Sequence, residues 1–308
     1  MGIKKRHHVV PRFYLKRFAN AAEDITAVHP AEDFRRYTTS IDNVAVEGHF
    51  YNLPTEEGWD TVVEDTLSKL EGIAGSDLPR LAAGRSTSLA AFRTRLSFFI
   101  AVQFVRGRSS HQAMVDFTKD LFLKVAQVST PEIIQAEAER QGRAMSLEEA
   151  TEVWRVSQDP TLRVEFQKVG PRELPADSLV SAPHVFSIGQ KLIPYFFKRV
   201  WTVFEFDDPL LLTSDEPVAQ GIDSKFPDRP VGLAQAESIV FPLDPHHALM
   251  MERPDRTGLP ARAKGTPELA RAFNQLVAVR STKQVFFHPD TDPLSTLGFP
   301  GYPPTTSP

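Results

Sequence analysis

The sequence predicts an α+β fold, with a mostly helical middle between a small N-terminal β region and a C-terminal antiparallel β region. Short runs typical of strands occur at residues 25–28 and 34–38. Apolar residues then recur at helical spacing across residues 59–128, and strand-like runs return after residue 200. The predicted elements therefore follow the order of strands, helices and strands, without regular alternation, and this order is typical of the α+β class.

The β regions are predicted run by run. We expect the two N-terminal runs and a third extended piece at residues 44–51 to form one small sheet. In the C-terminal region we expect two hairpins, each with aspartate and proline in its turn. The predicted C-terminal strands are 201–206 with 210–214, 238–243 with 248–251, and a last strand at 284–287.

The helices are predicted from apolar periodicity and capping residues. A helix is expected from Pro11 to about Asn20, because proline suits a first helical turn. The pattern at residues 89–128 predicts two helices that are broken near Gly107. Thr130 and Ser146 are expected to cap the next two helices. Further helices are predicted to begin near Trp59, Val185 and Pro267.

Length and composition limit the classes of protein. The chain has 308 residues, and we expect one globular domain over residues 1–299 with a disordered tail over 300–308. If the domain is divided in two, we expect the boundary in the loop-like segment at 171–183. The chain has no cysteine, which excludes disulfides and thiolate metal sites and fits a cytoplasmic protein. The longest apolar stretch, 96–105, is about half the length that spans a bilayer, so no membrane partner is expected.

The charge is unevenly distributed. The net charge is −4, yet residues 1–22 hold six lysines or arginines and no acidic residue. A basic arm of this kind, with Arg12 and Lys16 in its predicted helix, is suited to a phosphate or another anion. A solvated terminus is the structural alternative.

The opening block, His7-His8-Val9-Val10-Pro11 followed by Leu15 and Phe18, is the motif of this sequence. It resembles the start of a large, mainly bacterial family of domains of unknown function, which opens His-His-x-x-Pro-x-x-x-Leu-x-x-Phe. The resemblance implies no settled activity, but it indicates which residues to examine. Matching pieces follow in order along almost the whole chain: Glu64 and Glu71, Gln103-Phe104-Val105-Arg106, Trp201-Thr202-Val203-Phe204, Thr213-Ser214-Asp215-Glu216-Pro217, Phe241-Pro242-Leu243 and Asn274.

The same block is similar to the His-His-Ile-Val-Pro element of HNH-type nucleases. This resemblance implies that one histidine of the pair binds a divalent metal ion and the other activates water, with an asparagine and another histidine further on, for which Asn43 and His49 stand at loosely suitable distances. We assign the activation of water to His8, and the metal ion to His7 with Asp215 or Glu64. A metal-held hydroxide would then attack a phosphodiester. The sequence departs from that class because two strands precede the helix of an HNH finger, whereas here a helix is expected directly at Pro11. A pre-helix loop with a structural role is the alternative for both histidines.

Three further residues interrupt apolar surroundings. Gln103 and Arg106 lie in an apolar helix, where polar groups need partners, so they bind a substrate or belong to a structural network. A salt bridge explains Arg106 equally well. Asp215 follows a predicted strand and is either a catalytic carboxylate or the former of a turn before proline.

These residues predict an enzyme that acts on a phosphate-bearing substrate, specifically a metal-dependent nuclease with a role in conflict with phage. In that prediction His8 and Asp215 are catalytic, His7 and Glu64 bind the metal, and the substrate is held by Arg12, Lys16, Gln103 and Arg106. One alternative is a non-enzymatic module whose basic N-terminal helix binds an anionic partner, including nucleic acid. The other is an enzyme that tailors small molecules or peptides.

Overall fold

The computed structural model describes most of the chain, which divides into two compact units. The first unit consists of Met1–Arg108 with Ala182–Pro308, and the second is Ser109–Ser181. The predicted tail at 300–308 and nearly all of segment 171–183 lie outside the described residues. The described residues are 6–48, 53–55, 58–60, 62–85, 90–161, 164, 168, 182–221, 232–255 and 260–295.

The first unit contains two larger sheets and two short strand pairs. The strands are β1 (Arg6–His8), β2 (Asp24–His29), β3 (Arg35–Ser40), β4 (Val46–Gly48), β5 (Leu53–Thr55), β6 (Gly58–Asp60), β7 (Val200–Glu205), β8 (Thr213–Ser214), β9 (Ala219–Gln220), β10 (Ser238–Asp244), β11 (His247–Glu252), β12 (Arg262–Lys264) and β13 (Val285–Phe287). One sheet has the order β3-β2-β13-β8 and the other β12-β7-β11-β10-β9, while β1 pairs with β4 and β5 with β6. Only β12 and β7 form a parallel pair within the described strands.

Five helices lie in the described part of the first unit: α1 (Arg12–Leu15), α2 (Val62–Ala82), α3 (Ala90–Val105), α7 (Ala182–Phe197) and α8 (Pro267–Arg280). Short 3₁₀ helices follow α1 at Lys16–Phe18 and β3 at Ile41–Asn43. Helix α4 (Arg108–Val128) begins at the unit boundary, and α5 (Pro131–Arg140) and α6 (Leu147–Ser157) follow it in the described part of the second unit. In the described part of the chain, no helix has both the length and the apolar character needed to cross a bilayer.

The α+β class and most helices are confirmed. The break near Gly107 separates α3 from α4, and α8 begins at Pro267. Thr130 caps α5 by accepting a hydrogen bond from the N–H of Ile133. Ser146 forms a reciprocal capping box with Glu149 at the start of α6. Local signals of this kind depend only on residues three or four positions apart, which is why the sequence displays them.

The predicted hairpin of 201–206 with 210–214 is wrong. Strand β7 pairs with β11 and β12, whereas β8 pairs with β13 in the other sheet. The side chain of Asn274 in α8 explains the separation. Its Oδ1 accepts from the N–H of Leu212 at 3.0 Å and its Nδ2 donates to the carbonyl of Leu210 at 2.7 Å. The segment before β8 therefore bonds to a helix and not to β7.

Two N-terminal predictions need smaller corrections. The piece predicted at 44–51 contributes β4, which pairs with β1 and not with the β2–β3 hairpin. The C-terminal strand β13 completes that sheet, because its three residues are fully buried and need covering on both faces. The helix predicted to reach Asn20 ends after Leu15 and tightens into 3₁₀ geometry. The 3₁₀ turn brings Arg17 Nε to the carbonyl oxygen of Leu243 at 2.5 Å.

Tyr14 joins the opening block to both larger sheets. Its ring is fully buried and stacks on Phe241 of β10, with centroids 5.2 Å apart. Its hydroxyl lies 2.8 Å from Thr213 Oγ1 in β8 and donates to the carbonyl of Pro242 at 2.7 Å. Burial raises the pKa of the hydroxyl far above its ordinary value, so it stays protonated and able to donate.

We expect Tyr14→Phe to lower the free energy of unfolding by about 1–3 kcal/mol, because it leaves a buried carbonyl and a buried hydroxyl without their partner. Urea unfolding at pH 7 measures the change. Tyr195→Phe is the matched control, because Tyr195 is exposed and its loss should change stability by less than about 0.5 kcal/mol. Equal effects of the two variants would contradict the bridging role of Tyr14.

Candidate functional site

The histidine pair lies in a strand and not in a pre-helix loop. Strand β1 pairs antiparallel with β4, and His8 is opposite Val46. The N–H of Val9 then donates to the carbonyl of Ala45 at 2.8 Å. Ala45 has φ +50°, in the left-handed region that costs a residue with a Cβ about 1–2 kcal/mol. Strained backbone of this kind is concentrated at functional sites, and here it faces the residue that follows His8.

Arg106 fixes the path of this strand from the end of α3. Its side chain is almost completely buried. Nε donates to the carbonyl of Val9 at 2.5 Å, and Nη2 donates to the carbonyl of His8 at 3.0 Å. Nη1 pairs with Glu71 Oε1 of α2 at 2.9 Å. This is the salt bridge stated above as the structural alternative for Arg106. Arg106 thus holds the backbone of His8 and, within the described residues, forms no hydrogen bond with its imidazole.

The imidazole of His8 is half-buried among charged groups. Its Nδ1 is buried and has no hydrogen-bond partner within the described chain. Burial lowers the pKa of His8 below its ordinary value of 6.5. The carboxylates of Asp42 and Glu71 oppose that shift, and the guanidinium groups of Arg106 and Arg12 add to it. The ring is therefore neutral near pH 7 and has a nitrogen lone pair to accept a proton.

Two cations of the basic arm, Arg12 and Lys16, are already paired. Arg12 bonds to Asp42 through Nε at 2.6 Å and to Glu23 through Nη2, and Lys16 bonds to Glu23 at 2.6 Å. The hydrogen bond from Lys16, followed by that from Arg12, lowers the pKa of Glu23. Sequence reasoning identified both cations but missed Asp42 and Glu23. The only signal was that Glu23 is the first acid after the basic arm.

Asp215 belongs to a separate contact. It is buried, and its carboxylate accepts from the N–H of Thr282 at 3.1 Å, the hydroxyl of Thr282 at 2.8 Å and the N–H of Lys283 at 2.8 Å. Arg108 Nε lies 3.9 Å from its Oδ2. No hydrogen bond or ion pair of the described residues joins Asp215 to His8. Its bonds fasten the turn between α8 and β13.

Gln103 is the unexplained polar residue of α3. It is 2% exposed, and neither atom of its carboxamide has a hydrogen-bond partner within the described residues. It precedes Arg106 by three positions, so both lie on one face of the helix. Ser97 is also buried without a partner, but it lies about 120° away around the helix axis.

The predicted metal ligands are only partly described. His7 lies in β1 and Glu64 in α2, but the side chains of both lie outside the described part of the structure. Within the described residues, no group of three histidine, aspartate or glutamate side chains is placed to hold a metal. The other histidine pair, His246 and His247, lies in the β10–β11 turn, where His247 Nδ1 is 2.8 Å from Asp244 Oδ1.

Residues from distant parts of the sequence meet at the opening block. Arg106 and Glu71 hold β1, and Tyr14 contacts Thr213 and Pro242. The fold and this site define an α+β protein whose N-terminal segment is fastened to helices and sheets by buried polar contacts.

The chain belongs to the family described as "Protein of unknown function (DUF4238)", whose model matches residues 6–291. No curated protein and no solved structure matches the chain.

The lowered pKa of His8 makes a prediction for stability. A histidine whose pKa is lower in the folded state contributes stability above pH 6.5 that is lost as the pH falls through the folded-state pKa. We therefore expect the wild type to lose unfolding free energy relative to His8→Gln as the pH falls from 7.5 to 5. Chemical unfolding over that range measures the difference, and parallel curves would contradict the burial of the ring. An NMR titration of His8, assigned from the variant, reads the pKa directly.

Proposed function

We propose that the chain is an enzyme that hydrolyses a phosphate-bearing substrate, with His8 as the base that activates water. One observation carries the proposal. The imidazole of His8 is half-buried and neutral, and its Nδ1 has no hydrogen-bond partner within the described residues, while Arg106 and the strained Ala45 hold its backbone in place. Perturbed titratable groups on a rigid frame with charged neighbours are typical of catalytic sites.

The residues divide into a base, a positioning pair and phosphate contacts. His8 accepts the proton of the attacking water, the new P–O bond forms, and the leaving oxygen departs and is protonated. Arg106 and Glu71 are positioning residues, because Arg106 donates to the main-chain carbonyls of His8 and Val9 and pairs with the carboxylate of Glu71. Arg12 is partly exposed, and its Nη1 makes no hydrogen bond within the described residues, so it is the guanidinium best suited to a phosphate oxygen.

The nuclease form of this proposal adds a divalent metal ion. His7 and Glu64 are its proposed ligands, His7 from the resemblance to HNH-type nucleases and Glu64 as a carboxylate on one face of α2. The metal would lower the pKa of bound water and offset charge on the leaving oxygen. Cleavage that needs Mg²⁺ or Mn²⁺ and stops with EDTA would support the metal. Cleavage that continues in EDTA would contradict the metal ion but not the role of His8 as the base.

We expect His8→Gln to lower the hydrolysis rate by about 100-fold or more, the typical contribution of a general base. The probes are bis(p-nitrophenyl) phosphate, p-nitrophenyl phosphate, DNA and RNA, each with and without divalent metal. Because Arg106 bonds to the carbonyl of His8 and not to its ring, the variant should keep its fold. His288→Gln, in the segment after β13, is the matched control and should keep full activity. Wild-type activity in His8→Gln, or none in the wild type with any probe, contradicts the proposal.

Gln103 is the proposed recognition residue for the substrate. An unpaired buried amide costs about 1–3 kcal/mol, so removing it should not destabilise the free protein. We expect Gln103→Met to keep or raise the melting temperature while kcat/KM falls by about tenfold or more. Ser97→Ala removes the other unpartnered group of α3 and should leave kcat/KM unchanged. A melting temperature several degrees lower in Gln103→Met would show that the amide makes structural bonds.

A further inference from the structure

Exposed apolar side chains are concentrated in the second unit. Of the thirteen large apolar residues that are exposed in the described chain, ten lie between residues 117 and 164. Single exposed apolar residues are normal on a protein surface, but a contiguous group indicates an interface. The densest group is on α4.

Helix α4 presents its apolar face to solvent. Its stripe recurs at intervals of four, four and three residues, the spacing of one helical face. Its members, here named the α4 stripe, are Phe117, Leu121, Val125 and Val128, with exposed fractions of 57%, 45%, 51% and 75%. The buried side of the same helix includes Val115 and, against expectation, Lys119. An amphipathic helix normally buries its apolar stripe, so the orientation of α4 indicates a partner for this face.

The charges beside the stripe show what kind of partner fits. Asp120 and Lys124 flank it on one side, four positions apart. They form no ion pair with each other within the described residues, although that spacing permits one. Along the helix axis, the midpoint between Asp120 and Lys124 is at residue 122. The α4 stripe, from Phe117 to Val128, is centred at about the same level.

We propose that the α4 stripe is a homodimer interface, in which two copies of α4 pack antiparallel about a two-fold axis at the level of Phe122. In such a pair the same flank of each helix faces the other. Asp120 of one copy then lies opposite the partner's Lys124, and the reciprocal pair forms by symmetry. Leu121, exposed by 45%, is the stripe residue nearest the axis level.

Charge reversal on the full chain tests this arrangement, with the dimer dissociation constant measured by analytical ultracentrifugation. Asp120→Lys and Lys124→Asp should each weaken the dimer by about fivefold or more, because each places like charges opposite one another twice. The double variant should restore wild-type affinity, and the two single variants mixed should pair with each other. Leu121→Asp should abolish the dimer, and circular dichroism should show that it remains folded.

Crosslinking supplies an independent measurement, because the chain has no cysteine of its own. Leu121→Cys, on the stripe and nearest the axis, should form a disulfide-linked dimer on mild oxidation. Gln112→Cys, exposed on the opposite side of the same helix, should not. A wild type that is monomeric up to about 100 μM overturns the proposal, as does a dimer that both charge variants leave unchanged. Either outcome would leave the assignment of His8 unaffected.

Discussion

The structure depends on one buried guanidinium. Arg106 cannot be buried without acceptors, because an unpaired charge in a protein interior costs several kcal/mol. It finds them in the carboxylate of Glu71 and in the carbonyls of His8 and Val9. Two of the three acceptors belong to the main chain. The contact therefore fixes the path of the opening block and leaves the side chain of His8 free of a structural task.

That path determines the rest of the core. Once β1 is held, α1 begins at Arg12 and places Tyr14 against β8 and β10. Arg17 then bonds to the carbonyl of Leu243 and to the carboxylate of Asp244 at the end of β10. The opening block thus bonds to both larger sheets, although its partners lie about 200 positions away in sequence.

The sequence predicted the features that depend on residues close together in the chain. It did not predict the strand pairing that depends on residues far apart. The caps at Thr130 and Ser146 and the β10–β11 turn involve contacts within a few positions, and all were predicted. The partner of β8 was not predicted, because Asn274 decides it from 62 positions away. The site shows the same limit. The charged residues of the candidate site can be identified in the sequence. The role of each one depends on its partner in the folded structure, which the sequence does not show.

Two features of the protein are not explained by stability. A folded chain normally satisfies its buried polar groups, yet His8 Nδ1 and the carboxamide of Gln103 have no partner in the described residues. It also normally buries its apolar faces, yet the α4 stripe faces solvent. Departures of this kind persist in natural proteins where function requires them. They are of different chemistry, one polar and buried, the other apolar and exposed, and so they indicate different roles. The first suits the recognition of a polar ligand, and the second suits association with another copy of the chain.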